Sequence, residues 1–333
     1  MILFFFFAMH VRIIPAEKLR ELKALKSPKD HNSAENAEHG KLEECGEYGN
    51  NAESDESWGW VDHERRTFVD AGVAYVPVKD GYDYDCELNP PKKYRGPGYQ
   101  TIGDTVLIHY KMPSDAELES LIEWKNPACV LLLKGYDGIK RIPAVEVLYG
   151  EPHEVIHKEN GCIYSLDPSK VMFSMGNRNE KTRMVKMTRF GERIADMFAG
   201  IGYFTLPAAI AGAKVHAMEI NPVSYGYLVK NADLNGVSDR VDAECGDCRD
   251  LLKGKYDRAF MGHFESLNML PDILPHMKQG GILHVHSIDD ITDTIRAALE
   301  ESGFDAGETG ISVNRVKKYA PHRWHIVSDV VLP

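Results

Sequence analysis

The sequence lacks a membrane span. Its opening residues 1–8 are apolar, Met-Ile-Leu-Phe-Phe-Phe-Phe-Ala, but far short of the ~20 residues a crossing helix needs. They also lack the basic flank and small-residue cleavage site of a signal peptide. We read them as a disordered tail or a mis-assigned start, with a first strand beginning at Met9. Cysteine is scarce and scattered: Cys45, Cys86, Cys129, Cys162, Cys245 and Cys248. That excludes a disulfide scaffold and predicts a reducing, cytoplasmic setting. Cys245-Gly-Asp-Cys248 has no second pair to complete a zinc site, so no metal is expected. A basic surplus is missing too, since the net charge is −11. The deficit is local, however. Residues 30–57 hold nine acids and one base, leaving only −3 for the rest of the chain. That stretch is poor in apolar residues and is expected to be a flexible acidic insertion, at about 28–57.

What is present is most informative at Asp196-Met-Phe-Ala-Gly-Ile-Gly-Tyr-Phe-Thr-Leu-Pro207, followed by Ala213-Lys-Val-His-Ala-Met-Glu-Ile-Asn221. The pattern predicts a strand, a glycine turn, a helix and a second strand ending in a carboxylate. Gly200 and Gly202 let backbone approach a ligand without a Cβ between. Glu219 falls where a carboxylate meets ribose hydroxyls. A dinucleotide fingerprint needs a third glycine, and Thr205 stands there instead. No pyrophosphate has to be cradled if the ligand is S-adenosylmethionine (AdoMet), and Asp196 suits a cationic sulfonium. The details therefore favour AdoMet over NAD.

From about residue 171 strands and helices alternate to the end. Strands are expected near 193–198, 213–219, 241–245, 256–262, 281–287, 310–318 and 324–332. Such alternation predicts a mostly parallel sheet with helices on both faces. A final reversed hairpin makes it a class I AdoMet-dependent transferase, a Rossmann-like α/β fold with seven strands. The expected division is 9–170, a smaller α+β region, and 171–333, the AdoMet-binding domain. Ligands in such sheets sit at the carboxyl ends of the strands. Asp247 and Cys248 follow strand three there, where an acid and a backbone amide can meet an adenine ring.

Residues 170–193 carry seven bases against two acids. Ser174 is placed to cap a helix whose first turn holds Asn177 and Arg178. A basic, capped segment beside the cleft can hold a carboxylate, RNA phosphates, or both.

Val171-Met-Phe-Ser-Met-Gly-Asn-Arg-Asn-Glu-Lys-Thr-Arg-Met184 resembles the signature preceding the fold in the tRNA guanosine-37 methyltransferase and wybutosine-synthesis superfamily. Lys318-Tyr-Ala-Pro-His-Arg-Trp-His-Ile-Val327 and Phe260-Met-Gly-His263 look like its wybutosine branch, the tRNA(Phe) 4-demethylwyosine aminocarboxypropyltransferases. The resemblance implies AdoMet as co-substrate and tRNA(Phe) as partner. It places Ser174 and Lys181 near the methionine moiety, with Lys181 orienting the transferred chain by its carboxylate. It also places Glu219 at the ribose and Asp247 at the adenine, and leaves Cys248 a backbone contact.

Methyltransferases of the superfamily place an Asn-Pro motif after strand four. Here that position reads Met261-Gly262-His263, and Asn89-Pro90-Pro91 lies outside the fold. The implied reaction is transfer of the 3-amino-3-carboxypropyl group to C7 of the tricyclic base at position 37, with His263 as a base for the C7 proton. A guanosine-37 N1-methyltransferase, a non-catalytic tRNA-binding module and a dehydrogenase are the alternatives. Lys92, Lys93, Arg95, Arg178, Arg183, Arg189, Lys317, Lys318 and Arg323, with Tyr319 and Trp324, are candidates for a tRNA face.

Overall fold

A computed structural model describes residues 9–19, 58–63, 67–70, 72–88, 94–305 and 307–333. Residues 1–8, the acidic insertion, Asn89-Pro90-Pro91, Lys92 and Lys93 lie outside the described residues. The chain divides into two compact units: Met1–Pro97 with Met112–Pro127, and Gly98–Lys111 with Ala128–Pro333.

The first unit holds an antiparallel sheet of β1 (Met9–Pro15), β2 (Phe68–Asp70), β3 (Val73–Pro77) and β4 (Cys86–Leu88), in the order β2-β3-β1-β4. β2 and β3 form a hairpin whose turn passes through Gly72, at φ +82°. Trp60, Val61, Ala74, Val76 and Val78 form its core. Helix α1 (Asp115–Lys125) also belongs here. Ser114 accepts from the Glu117 amide while Glu117 accepts from the Ser114 amide, a reciprocal cap.

The second unit begins with β5 (Tyr99–Ile102), β6 (Thr105–His109), β7 (Cys129–Asp137) and β8 (Ile142–Gly150), one four-stranded sheet in that order. A hairpin follows, β9 (Val155–Glu159) and β10 (Cys162–Leu166). Then comes helix α2 (Arg178–Met187). The seven-stranded sheet comprises β11 (Arg193–Asp196), β12 (Lys214–Glu219), β13 (Val241–Cys245), β14 (Tyr256–Met261), β15 (Met277–Ile288), β16 (Gly310–Ala320) and β17 (Arg323–Val331). Its order is β13-β12-β11-β14-β15-β17-β16. The first five strands are parallel, and β17 runs antiparallel between β15 and β16. Strand order reverses beside β11, which creates the crevice where ligands bind.

Each central strand is apolar on both sides, as a doubly covered sheet demands. Ile194, Val215 and Phe260 join one core cluster with Leu206 and Leu228. Their neighbours Ala195, Met218 and Ala259 join another with Leu270, Ile295 and Leu299. Helix α3 (Thr205–Ile210) and α4 (Pro222–Leu234) supply the first cover, and α7 (Thr292–Glu301) helps supply the second. Between them in sequence lie the one-turn helices α5 (Cys248–Leu251) and α6 (Leu270–Ile273). The β9–β10 hairpin is stitched to α4 by amides. Buried Asn231 accepts from the Ser165 amide at 2.7 Å and donates to the Ser165 and Ile201 carbonyls. No helix among the described residues is long and apolar enough to cross a membrane.

Helix α2 is tied to the sheet by buried charges. Arg183 forks onto Asp329 of β17 at 2.5 and 2.9 Å and onto Glu180. Asp329 also meets His284 Nδ1 at 2.6 Å, and His284 Nε2 meets the Arg258 guanidinium at 2.6 Å. Arg258 grips Glu192 and the Met187 carbonyl. A guanidinium can only donate, so Nε2 accepts and the Nδ1 proton goes to Asp329. His284 is thus neutral, in line with burial pulling its pKa down.

Candidate functional site

A cavity of about 330 Å³ opens at the carboxyl ends of β11, β12, β14 and β15. It is closed on one side by the 172–177 segment and on another by the β7–β8 hairpin tip and the β16–β17 pair. Gly200, at φ +57°, lines its floor, and Gly202, at φ +105°, shapes the turn behind it. A Cβ at Gly200 would lie 2.6 Å from the Tyr203 ring. Glu219 is clamped from behind: Oε2 accepts from the Gly200 amide at 2.7 Å and Oε1 from the Asn221 amide at 2.8 Å. Each oxygen keeps a lone pair for a ligand hydroxyl. Burial raises the carboxyl pKa against these two amides. Asn221 caps α4 through Val223, and its side-chain amide holds the Lys140 carbonyl at 3.0 Å. The hairpin tip is thereby anchored to the loop after β12.

Ser174, Gly200, Glu219 and His263 all line this cavity. Other expected residues do not. Lys181 is 1% exposed and pairs with Glu159 Oε1 at 2.7 Å. Its ammonium lies 5.0 Å from the Phe173 and Tyr203 ring centres. It packs against the aromatic wall and is not among the residues lining the cavity. The cap expected of Ser174 is also displaced. Helix α2 starts at Arg178 with Asn177 as N-cap and no side-chain cap bond, because a 3₁₀ turn, Met175–Asn177, intervenes.

Asp247 caps α5 and accepts a fork from Arg249, at 2.9 and 2.5 Å. Neither Asp247 nor Cys248 reaches the cavity lining. Cys248 is buried against Met269 Sδ at 3.6 Å, and burial pushes its thiol up to about 12. Asp196 is fully buried, and Thr205 Oγ1 donates to it at 2.7 Å. Thr205, which occupies the third-glycine position, therefore serves this carboxyl; burial lifts Asp196 to about 6.

His263 stacks on Phe198, with ring centres 5.4 Å apart. The Glu265 amide donates to its Nδ1 at 3.3 Å. In the neutral ring Nε2 then carries the proton. Burial, then the field of Arg141, lower its pKa. The ring is arranged to donate a hydrogen bond, and the base role is not what this geometry offers.

The sequence reading missed several lining groups. His286 Nδ1 and His325 Nε2 are 3.0 Å apart, and Phe264 packs edge-on to His325. Burial, with Lys317 adding to it, lowers His325 to about 4. Tyr319, expected on a tRNA face, lines the cavity too and packs edge-on against Phe264. Of the missed groups only His325 carried a signal, by lying in the Lys318–Val327 run. Of the expected tRNA-facing bases, Arg183 is committed to Glu180 and Asp329. Trp324 lies under the Arg315 guanidinium, 5.3 Å from its ring centre. His216, Asp242 and Glu244 bring donor atoms within 4.8 Å of one another, but Lys253 bridges both carboxylates.

The Gly200 turn, the clamped Glu219 and the strand reversal beside β11 fit an adenosyl ligand. Fold and site together define a class I AdoMet-dependent transferase. The TRM5/TYW2 methyltransferase domain matches residues 155–311. A tRNA(Phe) (4-demethylwyosine(37)-C(7)) aminocarboxypropyltransferase of Methanocaldococcus jannaschii is 36% identical over 240 residues, 69% of this chain and 96% of that protein. The crystal structure of Pyrococcus horikoshii TYW2 in complex with MeSAdo superposes with a TM-score of 0.62 at 32% identity, over 73% of this chain and 91% of that one. That of M. jannaschii TYW2 in complex with AdoMet gives 0.56 at 32%, over 70% and 98%. The chain belongs to the tRNA(Phe) 4-demethylwyosine aminocarboxypropyltransferase family.

Proposed function

We propose that this chain transfers the 3-amino-3-carboxypropyl group of AdoMet to C7 of 4-demethylwyosine at position 37 of tRNA(Phe). The single observation that carries this reading is likeness along nearly the whole length of a relative named for that reaction. The site is consistent with it, because β14 ends in Met261-Gly262-His263, with no Asn-Pro pair to hold a ring nitrogen beside a methyl group.

In the reaction the bond from sulfur to the chain's methylene breaks, and its electron pair neutralises the sulfonium. A C7–carbon bond forms, C7 loses its proton to water, and methylthioadenosine leaves. The chain's own residues act by placement. Glu219 takes the ribose hydroxyls, the Gly200 turn admits the adenosyl group, and Phe198, Phe204 and Phe264 supply apolar walls for its rings. Such positioning can supply several kcal/mol of the barrier. His263 Nε2–H donates to a polar edge of the acceptor base.

The test uses AdoMet labelled either in the methyl or in the carboxyl group, with tRNA(Phe) bearing the tricyclic precursor. Carboxyl label entering the tRNA, with methylthioadenosine released, is the expected result. Methyl label entering the tRNA, with S-adenosylhomocysteine released, overturns it.

A further inference from the structure

With Lys181 sealed against Glu159, the carboxylate of the transferred chain needs another partner. Glu219 is the sole carboxylate among the residues lining the cavity, and two backbone amides already engage it. The lining cations are Lys140, Arg141 and Lys317. Lys140 and Arg141 lie exposed on the hairpin tip, where an ammonium or guanidinium is well hydrated and gains little from one anion. Lys317 differs. It is half-buried on β16, opposite His325 in the β16–β17 register, and no carboxylate faces it among the described residues. Its Nζ rests so close to Gly176 that a Cβ there would overlap it. Next to Gly176, Asn177 carries a buried Oδ1 with no hydrogen-bond partner. A half-buried cation and an unsatisfied acceptor, side by side in one cavity, have the polarity of an α-amino acid's two charged ends.

We propose that Lys317 and Asn177, which both line the cavity beside Gly176, recognise the amino acid end of the co-substrate, Lys317 taking the carboxylate and Asn177 the ammonium. The inference rests on the AdoMet reading above and deepens it. Burial and the nearby Lys181 both lower the Lys317 pKa, so a carboxylate arriving there relieves an uncompensated charge. A charge-assisted hydrogen bond in such a setting is worth roughly 10- to 100-fold in affinity. The exposed Lys140 and Arg141 are left for tRNA phosphates at the rim.

Calorimetric titrations with AdoMet, decarboxylated AdoMet and methylthioadenosine test this on wild type, Lys317→Met and Gly176→Ala. Wild type binding all three ligands supports the underlying reading; wild type binding none overturns that reading and the inference with it. Lys317→Met is expected to weaken AdoMet roughly 10- to 100-fold and leave the two carboxylate-free ligands within about twofold. Gly176→Ala keeps the charge but displaces the ammonium, so it is expected to shift the same ligand in the same direction. It gives the answer if Lys317→Met fails to fold. Equal weakening of all three ligands marks a structural role and refutes the proposal. So does unchanged AdoMet affinity, including the case in which only tRNA affinity falls, which would make Lys317 a phosphate contact.

Discussion

Replacing Lys181 with methionine should unfold the protein more than it blinds it. Lys181 and Glu159 are 1% and 4% exposed, with 2.7 Å between Nζ and Oε1. Burial pulls the ammonium pKa down, while Glu159 pulls it back up by charge and by hydrogen bond. Methionine fills much of the space among Tyr164, Phe173 and Tyr203 but leaves the Glu159 carboxylate buried without a counter-charge. Removing one partner of such a pair costs about 3–5 kcal/mol. In a unit of roughly 200 residues, where each kcal/mol moves the midpoint by about 2–4 °C, that is a fall of about 10 °C. Adding Glu159→Gln removes the orphaned charge, so the double variant should regain most of the loss. Differential scanning calorimetry on the two single variants and the double variant gives the coupling. AdoMet titration at 10 °C, well below any midpoint, gives the ligand effect, expected to stay within about threefold, under 1 kcal/mol. An unchanged midpoint together with a tenfold or greater loss of AdoMet affinity would refute the reasoning and return Lys181 to the ligand.

Two further outcomes are expected. If His263 donates a hydrogen bond through Nε2, His263→Gln, which keeps a donor, should retain single-turnover transfer within about tenfold, while His263→Ala loses more; equal losses of about 10²- to 10⁴-fold in both would instead mark a general base. Asp329 is held at about 2 by His284 and Arg183, despite burial acting the other way. Its folded pKa lies below the unfolded value, so its contribution of roughly 2 kcal/mol is present above pH ~4 and lost as pH falls toward 2. Asp329→Asn should flatten that part of the acid-unfolding curve measured by circular dichroism and cost about 3–5 kcal/mol at neutral pH.

How much of this was legible in the sequence follows from distance along the chain. The seven strands were readable because each is bounded by local punctuation, and observed bounds such as Tyr256–Met261 and Val241–Cys245 fall close to those expected. Gly200 and Glu219 were readable because strand, turn, helix and strand form one continuous stretch. The pairing of Lys181 was not legible because spacing locates a basic residue on a helix but not which way that helix is turned. Glu180, Lys181 and Met184 are the buried face of α2, and the partner Glu159 sits on a hairpin whose docking depends on Asn231 and Asn235 of a later segment. The fork that Asp247 accepts from Arg249, two residues on, was not legible either, since spacing does not say which side chains meet. Lys317, His286 and His325 meet only through antiparallel pairing of β15, β17 and β16, which no short motif announces.

That pairing also gives the basic segment before the fold a meaning that composition alone could not. Of its bases, Lys181 and Arg183 are spent on buried or half-buried acids, and neither is offered to phosphate. Arg183 reaches Asp329 on β17, the strand that also carries His325. The network runs on through His284 and Arg258 to Glu192 and the end of α2. Two walls of the cavity, the 172–177 segment before α2 and the Lys317–His325 pair, are therefore held by one connected set of buried charges. Breaking such a set leaves an uncompensated ion wherever it is cut. Two of the segment's seven bases are in that sense internal, and they fix the position of Gly176 and Asn177 relative to Lys317. Exposed cations remain on the segment itself at Lys186 and Arg189, on the hairpin tip at Lys140 and Arg141, and on β16 at Lys318.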